Sequence, residues 1–162
     1  ARRKLAQLTK SRGLMVNGLG SGPLNEAESK KLFARFGIPT VQEFVVASAR
    51  EAEQAVRSLN GNVVLKILSR EIVHKTEVGG VIVNVNPQDV ARRCDEMHAA
   101  VTKATKAPLQ GFLVQEMIAN GTEMILGFHR DPQLGPTVLL GLGGITAELF
   151  NDTTLRLPPL GR

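Results

Sequence analysis

A lysine interrupts an otherwise apolar, strand-like run, Val63 to Leu68, and no other feature of this chain limits its fold as sharply. The run continues through a polar loop with His74, Lys75, Thr76 and Glu77 to the glycines Gly79 and Gly80. The whole segment reads VVLKILSREIVHKTEVGG. Alternation along a strand puts Lys66 on one face with Val64 and Leu68. A charge in such a layer is costly unless something anionic meets it. Two arrangements accommodate it: an edge strand, where lysine discourages unwanted pairing, or a lysine that reaches an anionic ligand. The glycine-flanked loop places His74 where a histidine can move and react near neutral pH. Lysine and histidine together predict a phosphate-handling site.

The rest of the composition is consistent with that site and narrows the partners. At 162 residues the chain is long enough for one domain or two small lobes. No apolar run approaches the ~20 residues of a membrane span, and no secretory signal is visible. The single cysteine, Cys94, excludes an internal disulfide framework and fits a cytoplasmic setting. A net charge of +5 favours anionic partners. With no Trp or Tyr, and with Phe mostly at core-like positions, a base-stacking platform for nucleic acid is not expected. A nucleotide or acyl phosphate accounts for the charge instead. Five of the twenty Lys and Arg fall within residues 1–12. Residues 1–23 read as a basic linker or the tail of a preceding unit, and RLPPLGR at the other end shows no closing element. Both ends read as cut from something longer.

Local signals order the elements. Asn25 with Glu28 is an N-cap and N3 pair, opening a helix to about Phe36 that Gly37 and Pro39 stop. Gln42–Ala47 reads as a strand. Ser48 with Glu51 opens a second helix burying Ala52, Ala55, Val56 and Leu59, ended by Gly61 and Asn62. Strands Val63–Leu68 and Val81–Val85 follow. A helix from Asp89 carries Val90, Cys94, Met97, Val101 and Ala104 along one face. His98 lies beside that stripe as an ordinary surface histidine. Phe112–Met117, Glu123–His129 and Thr137–Leu140 are strands, with RDPQLGP as the turn between the last two. This mixture of hairpins and helices predicts an α+β class with a largely antiparallel sheet.

Two further groups carry candidate chemistry. Glu116 ends a strand in LVQEMI, and Glu123 follows in NGTEMIL. A connector there can present Met117 backbone groups to a purine edge, with a carboxylate to accept from ribose hydroxyls. Two solvated carboxylates at a strand junction fit the same pattern. The run Gly141-Leu142-Gly143-Gly144 lets backbone N–H groups approach phosphate oxygens, and Glu148 and Asp152 beyond it are hard ligands suited to Mg²⁺. A tight turn fits those glycines equally well, and neither the dinucleotide fingerprint nor a P-loop is present.

In order, HKTEVGG at 74–80, RDPQLGP at 130–136 and GLGGITAELFND at 141–152 resemble the ATP-grasp part of ADP-forming acyl-CoA synthetases. These are relatives of acetate–CoA ligase and succinyl-CoA synthetase. The resemblance covers roughly residues 24–160. It implies an ATP-grasp fold of two lobes, about 24–110 and about 111–162, incomplete at the C-terminus. It also implies roles: Lys66 on the nucleotide phosphates, Glu116 and the backbone at Met117 on adenine, Glu123 on ribose. Glu148 and Asp152 would hold Mg²⁺. His74 would be transiently phosphorylated on a mobile loop, with Glu77 orienting it and Gly79-Gly80 as hinge. The implied reaction joins a small carboxylic acid to CoA with ATP converted to ADP and phosphate. CoA-binding and ligase domains, fused or separate, would be the partners. The chain alone is expected to lack synthetase activity, to bind nucleotide weakly and to self-associate. A rival reading is the related regulatory module fused to some protein acetyltransferases.

Overall fold

The computed structural model describes residues 23–143, 153–158 and 160. They form two compact units, one ending at Ile118 and the other beginning at Ala119.

The first unit contains strands β1 (Glu43–Val46), β2 (Val63–Leu68), β3 (Val81–Val85) and β4 (Gly111–Glu116), and helices α1 (Glu26–Ala34), α2 (Ala49–Ala55) and α3 (Val90–Ala104). The strands form one antiparallel sheet in the order β1-β4-β2-β3. Strand pleating sorts the side chains between two layers. Val63, Leu65 and Ile67 join Phe112, Val114 and Val46 beneath α2 and α3, with Val56, Val90, Cys94, Met97 and Val101 completing the main core. Cys94 is fully buried there, and burial together with nearby Asp95 raises its thiol pKa to about 11. On the opposite face Leu68 and Leu113 pack against Ala27 of α1.

The caps that hold these helices follow the local sequence signals with two changes. Asn25 accepts from Glu28 N–H at 2.9 Å, and Glu28 returns the bond to Asn25 N–H at 2.9 Å. Ser48 accepts from Glu51 N–H, but the Glu51 carboxylate reaches Ala47 N–H at 2.9 Å, one residue before the expected partner. The third helix was expected from Asp89, yet Asp89 makes no capping bond. Its carboxylate pairs with Arg92, and Asn86 caps the preceding 3₁₀ turn Pro87–Asp89 instead. Pro at the first position of that turn has no N–H to satisfy, which suits an added turn. Ala104, expected on the apolar stripe, is exposed because the stripe ends at Val101.

The second unit is an antiparallel meander, β5 (Met124–Asp131), β6 (Gly135–Leu142) and β7 (Thr153–Arg156). The RDPQLGP segment is its tight turn: Asp131 Oδ1 accepts from Gln133 and Leu134 N–H, each at 2.8 Å. These bonds hold the Asp131 carboxyl below the usual carboxylate range. Apolar side chains stay exposed on this sheet, including Met124, Leu126, Phe128, Leu140 and Leu155. Phe33 and Phe36 of the first unit are exposed as well, against the expectation of core positions for Phe. Among the described residues no helix is long and apolar enough to cross a membrane.

Candidate functional site

Lys66 occupies an interior strand, flanked by β4 on one side and β3 on the other, so the edge-strand reading fails. Its face is covered by α1, and the first turn of that helix supplies the anion. Lys66 Nζ lies 2.6 Å from Glu26 Oε1. The same oxygen accepts from Lys30 Nζ at 2.9 Å and from the buried Gln115 Nε2 at 3.1 Å. Glu43 Oε2 accepts from Lys30 at 2.6 Å and Gln115 at 2.8 Å. Lys75, from the histidine loop, reaches Glu26 Oε2 at 3.5 Å. A half-buried lysine thus sits in a charged network and not against bare apolar surface, which removes most of its burial cost.

The Glu26 carboxyl records that environment. Burial raises its pKa, but hydrogen bonds and charge from Lys66 and Lys30 outweigh burial and bring it from 4.5 to about 2. Stability from this ionised group is complete above pH 4.5. It declines as pH falls, because the unfolded carboxyl protonates first, and is lost near pH 2. Urea unfolding across that window should show a steep acid-side slope, and Glu26→Gln should flatten it. Parallel slopes would contradict the pairing.

The loop after β2 is tied to the sheet at its far end. Gly80 O accepts from Ile67 N–H at 2.8 Å, and Gly80 N–H donates to Lys75 O at 2.7 Å. A Cβ at Gly80 would lie 2.6 Å from Ile67 Cγ2, so glycine there permits close packing. Gly79 has φ +72, a left-handed turn position, and its N–H donates to Thr76 O at 3.1 Å. Gly80, expected as half of a hinge, is therefore an anchor. His74 is exposed, with Nδ1 3.9 Å from Glu77 Oε1, too far for a hydrogen bond. Glu26, Lys66, Val73, His74, Lys75, Thr76, Glu77 and Val81 line a cleft of about 270 Å³. Lys66 and His74, expected from the sequence to serve one site, share this cleft.

The remaining expected residues lie elsewhere or beyond description. Glu116 Oε1 accepts from Gln42 N–H at 2.7 Å, and Glu116 N–H donates to Gln42 O at 2.9 Å, extending the β1–β4 ladder. Met117 follows it, exposed at the end of the first unit. Glu123 belongs to the second unit, where its side chain is exposed and its carbonyl accepts from Gly143 N–H at 2.8 Å. A Cβ at Gly143 would crowd Glu123 at 3.1 Å, so this glycine of the GLGG run allows a close backbone approach. Gly144, Glu148 and Asp152 lie outside the described residues. Among the described residues no group of three or more His, Cys, Asp or Glu could hold a metal ion.

Glu26 is the residue that sequence reasoning missed. An acid in the first turn of a helix is ordinary, since it complements the helix dipole. Only its i,i+4 spacing to Lys30 was available as a local signal.

Comparison with known proteins agrees with this architecture. A family model described as ATP-grasp domain matches residues 17–162. The beta subunit of acetate–CoA ligase [ADP-forming] I from Pyrococcus furiosus is 40% identical over 143 residues, which cover 85% of this chain and 60% of that subunit. Acetate–CoA ligase [ADP-forming] I from Archaeoglobus fulgidus is 36% identical over 137 residues, covering 84% of this chain and 20% of that protein. An acetyl-coenzyme A synthetase of Ca. Korarchaeum cryptofilum, solved with coenzyme A, Ca-AMPCP and HgCl+, superposes with a TM-score of 0.81. It is 38% identical, over 99% of this chain and 68% of that one. In a second structure of that enzyme, with coenzyme A and Mg-AMPPCP, the phosphohistidine segment points towards the nucleotide binding site. That structure gives a TM-score of 0.66 at 39% identity, over 84% of this chain and 57% of that one. The chain thus spans from a fifth to about two thirds of these relatives. With its antiparallel α+β build, and with a family match that runs through both units, the chain belongs to the ATP-grasp domain family.

Proposed function

We propose that this chain is the nucleotide-binding part of an ADP-forming acyl-CoA synthetase, which converts a small carboxylic acid, CoA and ATP to acyl-CoA, ADP and phosphate through phosphohistidine. The observation that carries the reading is the shared cleft: a strand lysine with surplus positive charge around it and an exposed loop histidine both line it. The reported relatives are a CoA ligase, a ligase subunit and a synthetase, which favours this reading over a regulatory module. In the proposal Lys66 meets the nucleotide phosphates, Glu116 and the Met117 backbone the adenine, and Glu123 the ribose. The proposed lobes, about 24–110 and about 111–162, correspond to the two compact units, which divide after Ile118. CoA and the acid bind partner domains, fused as in single-chain relatives or separate as with a beta subunit.

His74 is the phosphoryl carrier. Its imidazole nitrogen forms the N–P bond as the P–O bond between the terminal phosphoryl group of ATP and the departing ADP breaks. The N–P bond then breaks as a carboxylate oxygen of the acid takes the phosphoryl group, and CoA displaces phosphate from the acyl phosphate so formed. Such transfer needs alignment and charge neutralisation more than covalent help. Lysines supply the first part of that neutralisation. Mg²⁺, which suits the hard oxygens of Glu148 and Asp152, would supply more.

Nucleotide titration followed by NMR tests the assignment of Lys66. Lys66→Ala should weaken ATP by about 1.5–3 kcal/mol, the worth of a charge-assisted contact, while hardly changing adenosine. Glu123→Ala should weaken both ligands, because the ribose is common to them. Equal losses for ATP and adenosine on removing Lys66 would defeat the phosphate role.

A further inference from the structure

The cleft already holds an anion of its own. Among the described residues, Glu26 is the only ion-pair partner of Lys66, at 2.6 Å, and of Lys75, at 3.5 Å. Lys30 is shared with Glu43. Three ammonium groups face two carboxylates, so the cluster keeps one positive charge. A carboxylate and a phosphate both offer charged oxygens a short distance apart, and ammonium groups pair with either. Lys66, Lys75 and Glu26 all line the cleft that also contains His74.

We propose that Glu26 is the resident counter-ion of this phosphate site: its carboxylate holds Lys66 and Lys75 together in the unliganded chain and is exchanged for a phosphate group when the site fills. This rests on reading the cleft as the phosphate end of a nucleotide site. Lys75 adjoins His74, so the Glu26–Lys75 pair also fastens the histidine segment to the sheet until phosphate takes the carboxylate's place. The exchange links arrival of the ligand to placement of the reactive loop. A carboxylate that served packing alone would have no such link.

The test combines amide exchange by NMR with titration of inorganic tripolyphosphate and of ATP. Gly79 and Gly80 report on the loop, since their N–H groups bond Thr76 O and Lys75 O. Leu65 and Val114, buried in the core, report on global stability. In Glu26→Gln the two glycine amides should exchange about fivefold faster through local opening, while the core amides accelerate only by the global stability that the ionised carboxylate had supplied. Tripolyphosphate should bind this variant about threefold or more tighter than the parent chain, because no carboxylate competes, and should slow the glycine amides again. Lys75→Met leaves Glu26 on Lys30 and Lys66, should loosen the same amides, and should not be restored by tripolyphosphate. This second variant carries the test if the first fails to fold. Weaker tripolyphosphate binding by Glu26→Gln, no binding by either chain, glycine amides unmoved by the substitution, or restoration of Lys75→Met would each overturn the exchange. ATP bound no more tightly than tripolyphosphate would count against the nucleotide reading and leave the exchange standing. ATP bound well by the parent with no gain in Glu26→Gln would do the reverse.

Discussion

His74→Ala should abolish acyl-CoA formation in an enzyme that contains this chain and its CoA-binding partner, while nucleotide affinity stays within about twofold. The expectation follows from what the side chain can do where it sits. His74 is three-quarters exposed, and at 3.9 Å Glu77 is too far to hold its ring by a hydrogen bond. Its removal should therefore cost no core packing, and a loss of turnover will report chemistry and not folding. Incubation with Mg·ATP and the partner should label the parent protein with phosphate that is acid-labile and base-stable, as an N–P bond is, and should leave the variant unlabelled. Alanine removes the nucleophile outright, so residual turnover should fall to background. Turnover retained by the variant, or a label that survives acid, would remove His74 from the phosphoryl path. Glu77→Gln provides a graded comparison. With no hydrogen bond to lose, it should reduce turnover far less than His74→Ala.

Local features of the site were legible from sequence, and long-range ones were not. The Asn25–Glu28 capping box, the apolar stripe of α3 and the strand around Lys66 depend on neighbours within a few residues, and side-chain spacing encodes such neighbours directly. Whether Lys66 sat at an edge depended on the order β1-β4-β2-β3, which strand pairing across the whole first unit decides. Its partner, Glu26, lies 40 residues away in sequence. No spacing rule joins the two, and an acid at a helix start has an ordinary explanation of its own. Gly79 and Gly80 were visible as a pair but not as different kinds of glycine. One answers a positive φ and the other a close contact with Ile67, a difference that belongs to backbone geometry. Strand β7, Thr153–Arg156, escaped notice because TTLR is too short to show alternation. Strand β6 ran longer than expected because Gly135 and Pro136 pair with Asp131 and Arg130 at the turn end of the hairpin. At that end a proline is tolerated more readily than in mid-strand.

Gly111→Ala should be among the most destabilising single-methyl additions to this chain, lowering stability by about 2–5 kcal/mol. Gly111 opens β4 with φ +122, a conformation that side-chain-bearing residues rarely adopt. A Cβ there would lie 2.3 Å from the carbonyl oxygen of Val46 and 3.2 Å from its carbon. Backbone cannot swing aside as a flexible side chain can, because Val46 is registered against Phe112 in the β1–β4 ladder and Gly111 against Leu68 in the β2–β4 ladder. Relief therefore requires β4 to shift against one of its neighbours. Such a shift would carry Leu113 and Gln115 with it, and with them one wall of the Lys66 and Glu26 network. Gly61→Ala separates the two causes, since Gly61 has φ +70 but nothing within 4 Å of an added Cβ. That control bears the conformational cost alone, about 1 kcal/mol. Urea unfolding of the two variants should differ by the cost of the contact with Val46 together with the extra strain of φ +122 over φ +70. The Gly111 variant should also lose protection at the Leu113 and Gln115 amides before the α3 amides. Equal destabilisation of the two variants would mean that β4 relaxes around the new methyl, and that the position of β4 does not depend on a glycine at its start.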